Sequence, residues 1–168
     1  LKQGSYYVPP SARASFPAVD QGPVRIVNTQ NVSTLGAQRV IYKVNGIPTS
    51  YSEMMAQPNG QLDTTYWLPW YNNVDLDTQL RIGNVSGAPA SVHVYIGGVE
   101  MTGSPFALTA TGAGQSTRVS FVGINNGPVQ IVSDQSIVAA ERVIYTVGGL
   151  ATSFTEMMAL PNSLLSTN

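Results

Sequence analysis

Residues 39–59 read RVIYKVNGIPTSYSEMMAQPN, and residues 142–162 read RVIYTVGGLATSFTEMMALPN. The two stretches agree at 14 of 21 positions at an offset of 103 residues. Each sets a turn signal, Asn45-Gly46 or Gly148-Gly149, between two runs rich in β-branched and aromatic residues. That is the pattern of a β-hairpin with a two-residue type I′ turn, because both central residues tolerate positive φ. A turn on Asn45-Gly46 pairs Val44 with Ile47, Tyr42 with Thr49 and Val40 with Tyr51. One face then carries an apolar stripe of Val40, Tyr42, Val44, Ile47 and Tyr51. The second copy pairs Val147 with Leu150 and Val143 with Phe154. Arg39 falls opposite Ser52, one residue from Glu53. The repeated pairs Arg39/Glu53 and Arg142/Glu156 therefore read as structural ion pairs, one per unit.

The duplication extends upstream. RASFPAVDQGPVRIV (residues 13–27) aligns with RVSFVGINNGPVQIV (residues 118–132) at an offset of 105. A period of that length is the size of a domain rather than of a solenoid turn. One complete period runs over residues 64–168, and residues 1–63 match only its latter part. The expected organisation is an N-terminal extended segment and half repeat over 1–63, then a complete β-sandwich repeat over 64–168. The half repeat is expected to supply about four strands with exposed edges.

Elsewhere the chain also reads as β. Alternation marks Val24-Arg25-Ile26-Val27, residues 91–96 and residues 117–121 as strands. Turn signals recur at Ser86-Gly87, Gly97-Gly98, residues 112–114 and Asn126-Gly127-Pro128. No apolar pattern of helical period and length stands out. The fold class is all-β, a sandwich or barrel.

Composition narrows the function. The chain has 168 residues, a net charge of -1, no Cys and only 10% charged residues. Charged residues usually make up about 25% of a chain. Solubility falls instead to 51 Ser, Thr, Asn and Gln side chains. Eight scattered basic residues offer no electrostatic footprint for nucleic acid or an anionic membrane. Cysteine nucleophiles and thiolate metal sites are excluded outright. No apolar run reaches the roughly 18 residues of a membrane span. The chain begins at Leu1 without a signal peptide, which is expected of a processed or excised product.

The residues with chemical potential are few. His93 stands on a strand with Val92, Val94 and Ile96 on the opposite face, and no G-x-S-x-G motif accompanies it, so a solvent-facing role is expected. One glutamate per unit does not supply the paired carboxylates of a glycosidase. No catalytic residue and no cofactor is expected. Asn73, Asp75 and Asp77 alternate, and on a strand they would project to one side as oxygen ligands for calcium; the expectation is a polar strand face or turn and no metal. Tyr66, Trp67, Trp70 and Tyr71 form the densest aromatic group; exposed, they would stack on sugar rings, and otherwise they cover the junction between units or fill its core. Met54-Met55 and Met157-Met158 read as adaptable packing. Asn31-Val32-Ser33 and Asn84-Val85-Ser86 match the glycosylation sequon.

The stretches TQLRIGNVSGAPASVHVYIGG, RVIYTVGG, SFTEMMALPN and YWLPWYNNVDLDTQLRIGN together give the chain its family likeness. It resembles tandem immunoglobulin-like β-sandwich repeats of bacterial, Chloroflexota-type, extracellular surface proteins. The resemblance covers nearly the whole chain after residue 12, and it implies architecture and an extracellular or cell-surface location without implying an activity. The expected function is that of a non-enzymatic structural protein, a self-assembling subunit of a filament, sheath or layer. Its expected partner is itself, joined head to tail by β-strand complementation. Residues 1–12, with Leu1, Tyr6, Tyr7 and Val8, are the expected donor segment, and Pro9-Pro10 would keep it extended. The alternative is a carbohydrate-binding or adhesion module of a larger surface protein, with polysaccharide as partner.

Overall fold

The computed structural model describes residues 13–19, 22–30, 32–110 and 115–165. Leu1, Tyr6, Tyr7 and Val8 lie outside the described residues. The fold is all-β with antiparallel pairing throughout, as the alternation predicts. Its strands in chain order are β1 (Ala37–Val44), β2 (Ile47–Met55), β3 (Asp63–Leu68), β4 (Tyr71–Asn72), β5 (Asp77–Asn84), β6 (Ala90–Ile96) and β7 (Val99–Glu100). They are followed by β8 (Phe106–Leu108), β9 (Gln115–Val119), β10 (Asn125–Asn126), β11 (Val129–Val147), β12 (Leu150–Met158) and β13 (Leu160–Pro161).

The 19-residue β11 organises the molecule. Its first part, Val129 to Ser133, lies between β3 and β6. Its later part, from Ile137 onward, pairs with β5, and Ala140 to Val147 pair with β12. A register irregularity between Val132 and Ile137 separates the two parts. Ile131 from the first part and Ile137 from the second are fully buried with Leu80, Ile82, Val92 and Val94 in one core. The alternation along β6 sends Val92, Val94 and Ile96 inward and leaves His93 partly exposed. Seven such aliphatic side chains, each stabilising by about 1.5–3 kcal/mol on burial, make this core the main source of cohesion.

Three sequence expectations change. The stretch Val24-Arg25-Ile26-Val27 is not a strand: Val24, Ile26 and Val27 are 74%, 58% and 61% exposed. Its counterpart Val129-Gln130-Ile131-Val132 holds ladder partners on both sides, in β3 and β6. Among the described residues the first copy has no strand in those places, and an unpaired backbone gains nothing by extending. Among the described residues, 13–62 accordingly form two strands rather than four. Residues 74–76 form a bend.

The third change is in hairpin register. Both turns form as predicted, with φ of 50° and 79° at Asn45 and Gly46, and 58° and 80° at Gly148 and Gly149. One residue beyond the turn, however, a bulge shifts the pairing between Tyr42 and Lys43, and identically between Tyr145 and Thr146. Tyr42 therefore faces Ser50, Val40 faces Ser52, and Arg39 lies directly opposite Glu53 rather than Ser52. In the second copy Ile144, not Val143, faces Phe154. A one-residue slip moves each β2 side chain to the other face. Tyr51 thereby leaves the stripe predicted for Val40 and Tyr42.

Candidate functional site

The bulged register gives each hairpin two distinct faces. The first carries Arg39, Ile41, Tyr51 and Glu53 in copy one, and Arg142, Ile144, Phe154 and Glu156 in copy two. The second carries Val40, Tyr42, Ser50, Ser52 and Met54, matched by Val143, Tyr145, Ser153, Thr155 and Met157. We call these the arginine face and the tyrosine face.

On the arginine face the two copies build one motif. Arg39 Nε donates to Glu53 Oε1 at 2.7 Å, and Arg142 Nε donates to Glu156 Oε1 at 2.7 Å. The Arg39 guanidinium lies 5.3 Å from the Tyr51 ring centroid, and that of Arg142 lies 5.1 Å from that of Phe154. Their surroundings differ. The side chains of Arg39 and Glu53 are 58% and 49% exposed, whereas those of Arg142 and Glu156 are 27% and 5% exposed.

Beside the second pair lies the tyrosine face of the first hairpin, and on its other side Gln79 of β5 pairs with Arg142. The Tyr42 ring meets the Phe154 ring edge-on at 5.7 Å, and Tyr42 Oη donates to the Ala151 carbonyl at 3.3 Å. Ser52 Oγ accepts a hydrogen bond from the Glu156 backbone N–H at 2.9 Å. The tyrosine face of the first hairpin thus packs on β12, against its backbone at Ala151 and Glu156 and the ring of Phe154. Between the E-M-M-A segments of the two copies runs a groove of about 440 Å³, lined at equivalent positions by Met54, Met55 and Pro58 and by Met157, Met158 and Pro161.

The other sequence candidates separate. Tyr66 and Tyr71 are fully buried, which removes them from any shared aromatic surface. Tyr66 Oη donates to the Ile137 carbonyl at 2.7 Å, and Tyr71 Oη donates to the Thr78 carbonyl at 2.8 Å, so each phenol is satisfied inside the core. Trp67 Nε1 donates to Asn162 Oδ1 at 2.9 Å, and the 54% exposed Trp70 donates to Asn125 Oδ1 at 2.8 Å. The four rings alternate along the chain and form no joint platform.

Asn73, Asp75 and Asp77 likewise turn to different partners. Asn73 Nδ2 donates to Ser120 Oγ at 2.7 Å, Asp77 accepts from Gln79 at 2.9 Å, and Asp75 receives Asn72 Nδ2 at 3.4 Å. Among the described residues no cluster of three His, Asp or Glu is placed to hold a metal ion. His93 Nδ1 lies 2.6 Å from Glu100 Oε1, and that hydrogen bond holds the Glu100 carboxyl below its ordinary range. Asn84 is buried, with Nδ2 donating to the Ala88 carbonyl at 2.7 Å, so its sequon is closed in the folded chain.

Sequence reading singled out Arg39, Glu53, Arg142 and Glu156 but did not reach Tyr42, Ser52 and Tyr145 as contact residues. The signal was present in their repetition at one offset; the bulge that decides their face was not visible. No described helix is long and apolar enough to cross a membrane. No family model matches the chain, and no curated protein matches it. A solved structure of Thermotoga maritima 1070 is similar over 60% of this chain and 95% of its own, at 10% identity and a TM-score of 0.44.

Proposed function

We propose that the chain is a non-enzymatic structural protein of the cell surface or extracellular space, built from immunoglobulin-like β-sandwich repeats. Residues 64–168 are the complete unit and residues 1–63 the half unit. Copies join head to tail into a filament, sheath or layer, and residues 1–12 serve as a donor strand. One observation carries this reading: the two repeated hairpins already stack on each other through non-identical faces. A heterologous contact of that kind propagates when the same faces are offered again, into a ring where its rotation closes and a filament where it does not. The near-neutral, Ser/Thr/Asn/Gln-rich composition adds little like-charge repulsion between closely packed copies.

Polysaccharide binding through the Tyr66–Tyr71 group loses its support with the burial of both tyrosines. Negative-stain microscopy of the 168-residue chain, beside a variant lacking residues 1–12, tests the proposal. Regular fibres from the full chain and their loss on truncation are expected. Monomers retained on insoluble polysaccharide would overturn it, and fibres unchanged by truncation would remove the donor-strand element.

A further inference from the structure

The internal contact sets the tyrosine face of the first hairpin against β12 of the second, and leaves the arginine face of the first hairpin and the outer part of the tyrosine face of the second open. On the first hairpin the arginine face is exposed, with Ile41 at 43% and Tyr51 at 65%. On the second hairpin the outer part of the tyrosine face is exposed, with Tyr145 at 53% and Met157 at 42%, while Glu141 opposite Met157 is buried. The open pair repeats the chemistry of the covered pair residue for residue. Arg, Ile and Glu recur unchanged on the arginine face, with Tyr51 for Phe154. Val, Tyr, Ser and Met recur on the tyrosine face, with Thr155 keeping the hydroxyl of Ser52.

We propose that the exposed tyrosine face of the second hairpin docks onto the exposed arginine face of the first hairpin in another copy of this chain. The occupant is a second copy because the covered half of the same surface is already occupied by the equivalent hairpin of this sequence. Tyr145 enters the hollow of about 280 Å³ bordered by Arg39, Ile41, Pro48 and Tyr51. Its ring meets Tyr51 as Tyr42 meets Phe154, and its hydroxyl donates to the Pro48 carbonyl, the counterpart of Ala151. Thr155 Oγ accepts from the Glu53 backbone N–H, as Ser52 does from Glu156. Docking shields the Arg39–Glu53 pair as the Arg142–Glu156 pair is already shielded.

The contact joins unlike faces, so each copy keeps one free face at either end and growth is open-ended. This inference rests on the reading of the chain as a head-to-tail structural subunit and names a surface that the joining requires in addition to residues 1–12.

Two variants test it by sedimentation, Tyr51→Asp on the accepting face and Tyr145→Asp on the entering face. Both rings are more than half exposed, so circular dichroism and melting of each variant should match the parent. Each variant alone is expected to sediment as a monomer at concentrations where the parent chain grows. Mixed in equal amounts they are expected to form a one-to-one dimer and stop, because only one intact pair of faces remains. Growth of either variant alone, or a mixture that stays monomeric, overturns the docking mode. If the parent assembles, both variants assemble, and truncation of residues 1–12 abolishes assembly, this interface fails while the structural reading stands. A parent chain that never associates defeats both.

Discussion

Glu141 is the residue whose environment is most costly. It lies on β11 between Leu80 of β5 and Met157 of β12, and it is 4% exposed. Burial pushes its carboxyl up from the ordinary 4.5 to about 7, because the ionised form loses its hydration. A carboxyl whose pKa is raised on folding favours the folded state most fully below its unfolded pKa. That contribution is lost as pH rises from about 4.5 to about 7 and stays lost above. The first copy carries Gln38 at the equivalent position, on an exposed surface. Glu141→Gln is therefore expected to gain stability relative to the parent as pH rises across that window, by up to about 3 kcal/mol. Urea unfolding of both proteins at pH 4 and pH 8 checks it, and a difference independent of pH would contradict the assignment.

At the scale of elements, the two hairpins are one sequence in two settings. Tyr42 is half-buried in the stack and its counterpart Tyr145 is not, so equivalent truncations separate packing from intrinsic hairpin preference. Tyr42→Ala is expected to cost about 1–3 kcal/mol through the lost edge-on ring contact, buried area and hydrogen bond. Tyr145→Ala is expected to stay within about 0.5 kcal/mol in the monomer, as exposed substitutions usually do. Amide exchange over β1 and β2 reads the first effect directly, since undocking exposes that hairpin. The hairpins and their turns were legible in the sequence because Asn45-Gly46 and Gly148-Gly149 state their own backbone conformation. The faces were not, because a bulge beyond the turn is set by chain geometry that residue identity does not announce, and it moves Tyr51 across the sheet. The failure of Val24-Arg25-Ile26-Val27 to form a strand has a different origin. Alternation there describes a capacity, and the partners that realise it in Val129–Val132 have no counterpart beside the first copy among the described residues.

For the whole molecule, β11 sets the architecture: it threads the core and then extends past it as half of the second hairpin, and the first hairpin lies against the other half, β12. Two complementary faces remain open in consequence, and the central claim is that they make the chain a head-to-tail building block. Tyr66, Leu80, Ile131 and Ile137 were recognisable as apolar, yet their joint burial depended on strands far apart in sequence. Sedimentation velocity of the full chain over a wide concentration range addresses the claim most directly. Open heterologous joining predicts a weight-average sedimentation coefficient that climbs with concentration and reaches no plateau. A coefficient fixed at the monomer value, or one that levels off at a dimer, would contradict it.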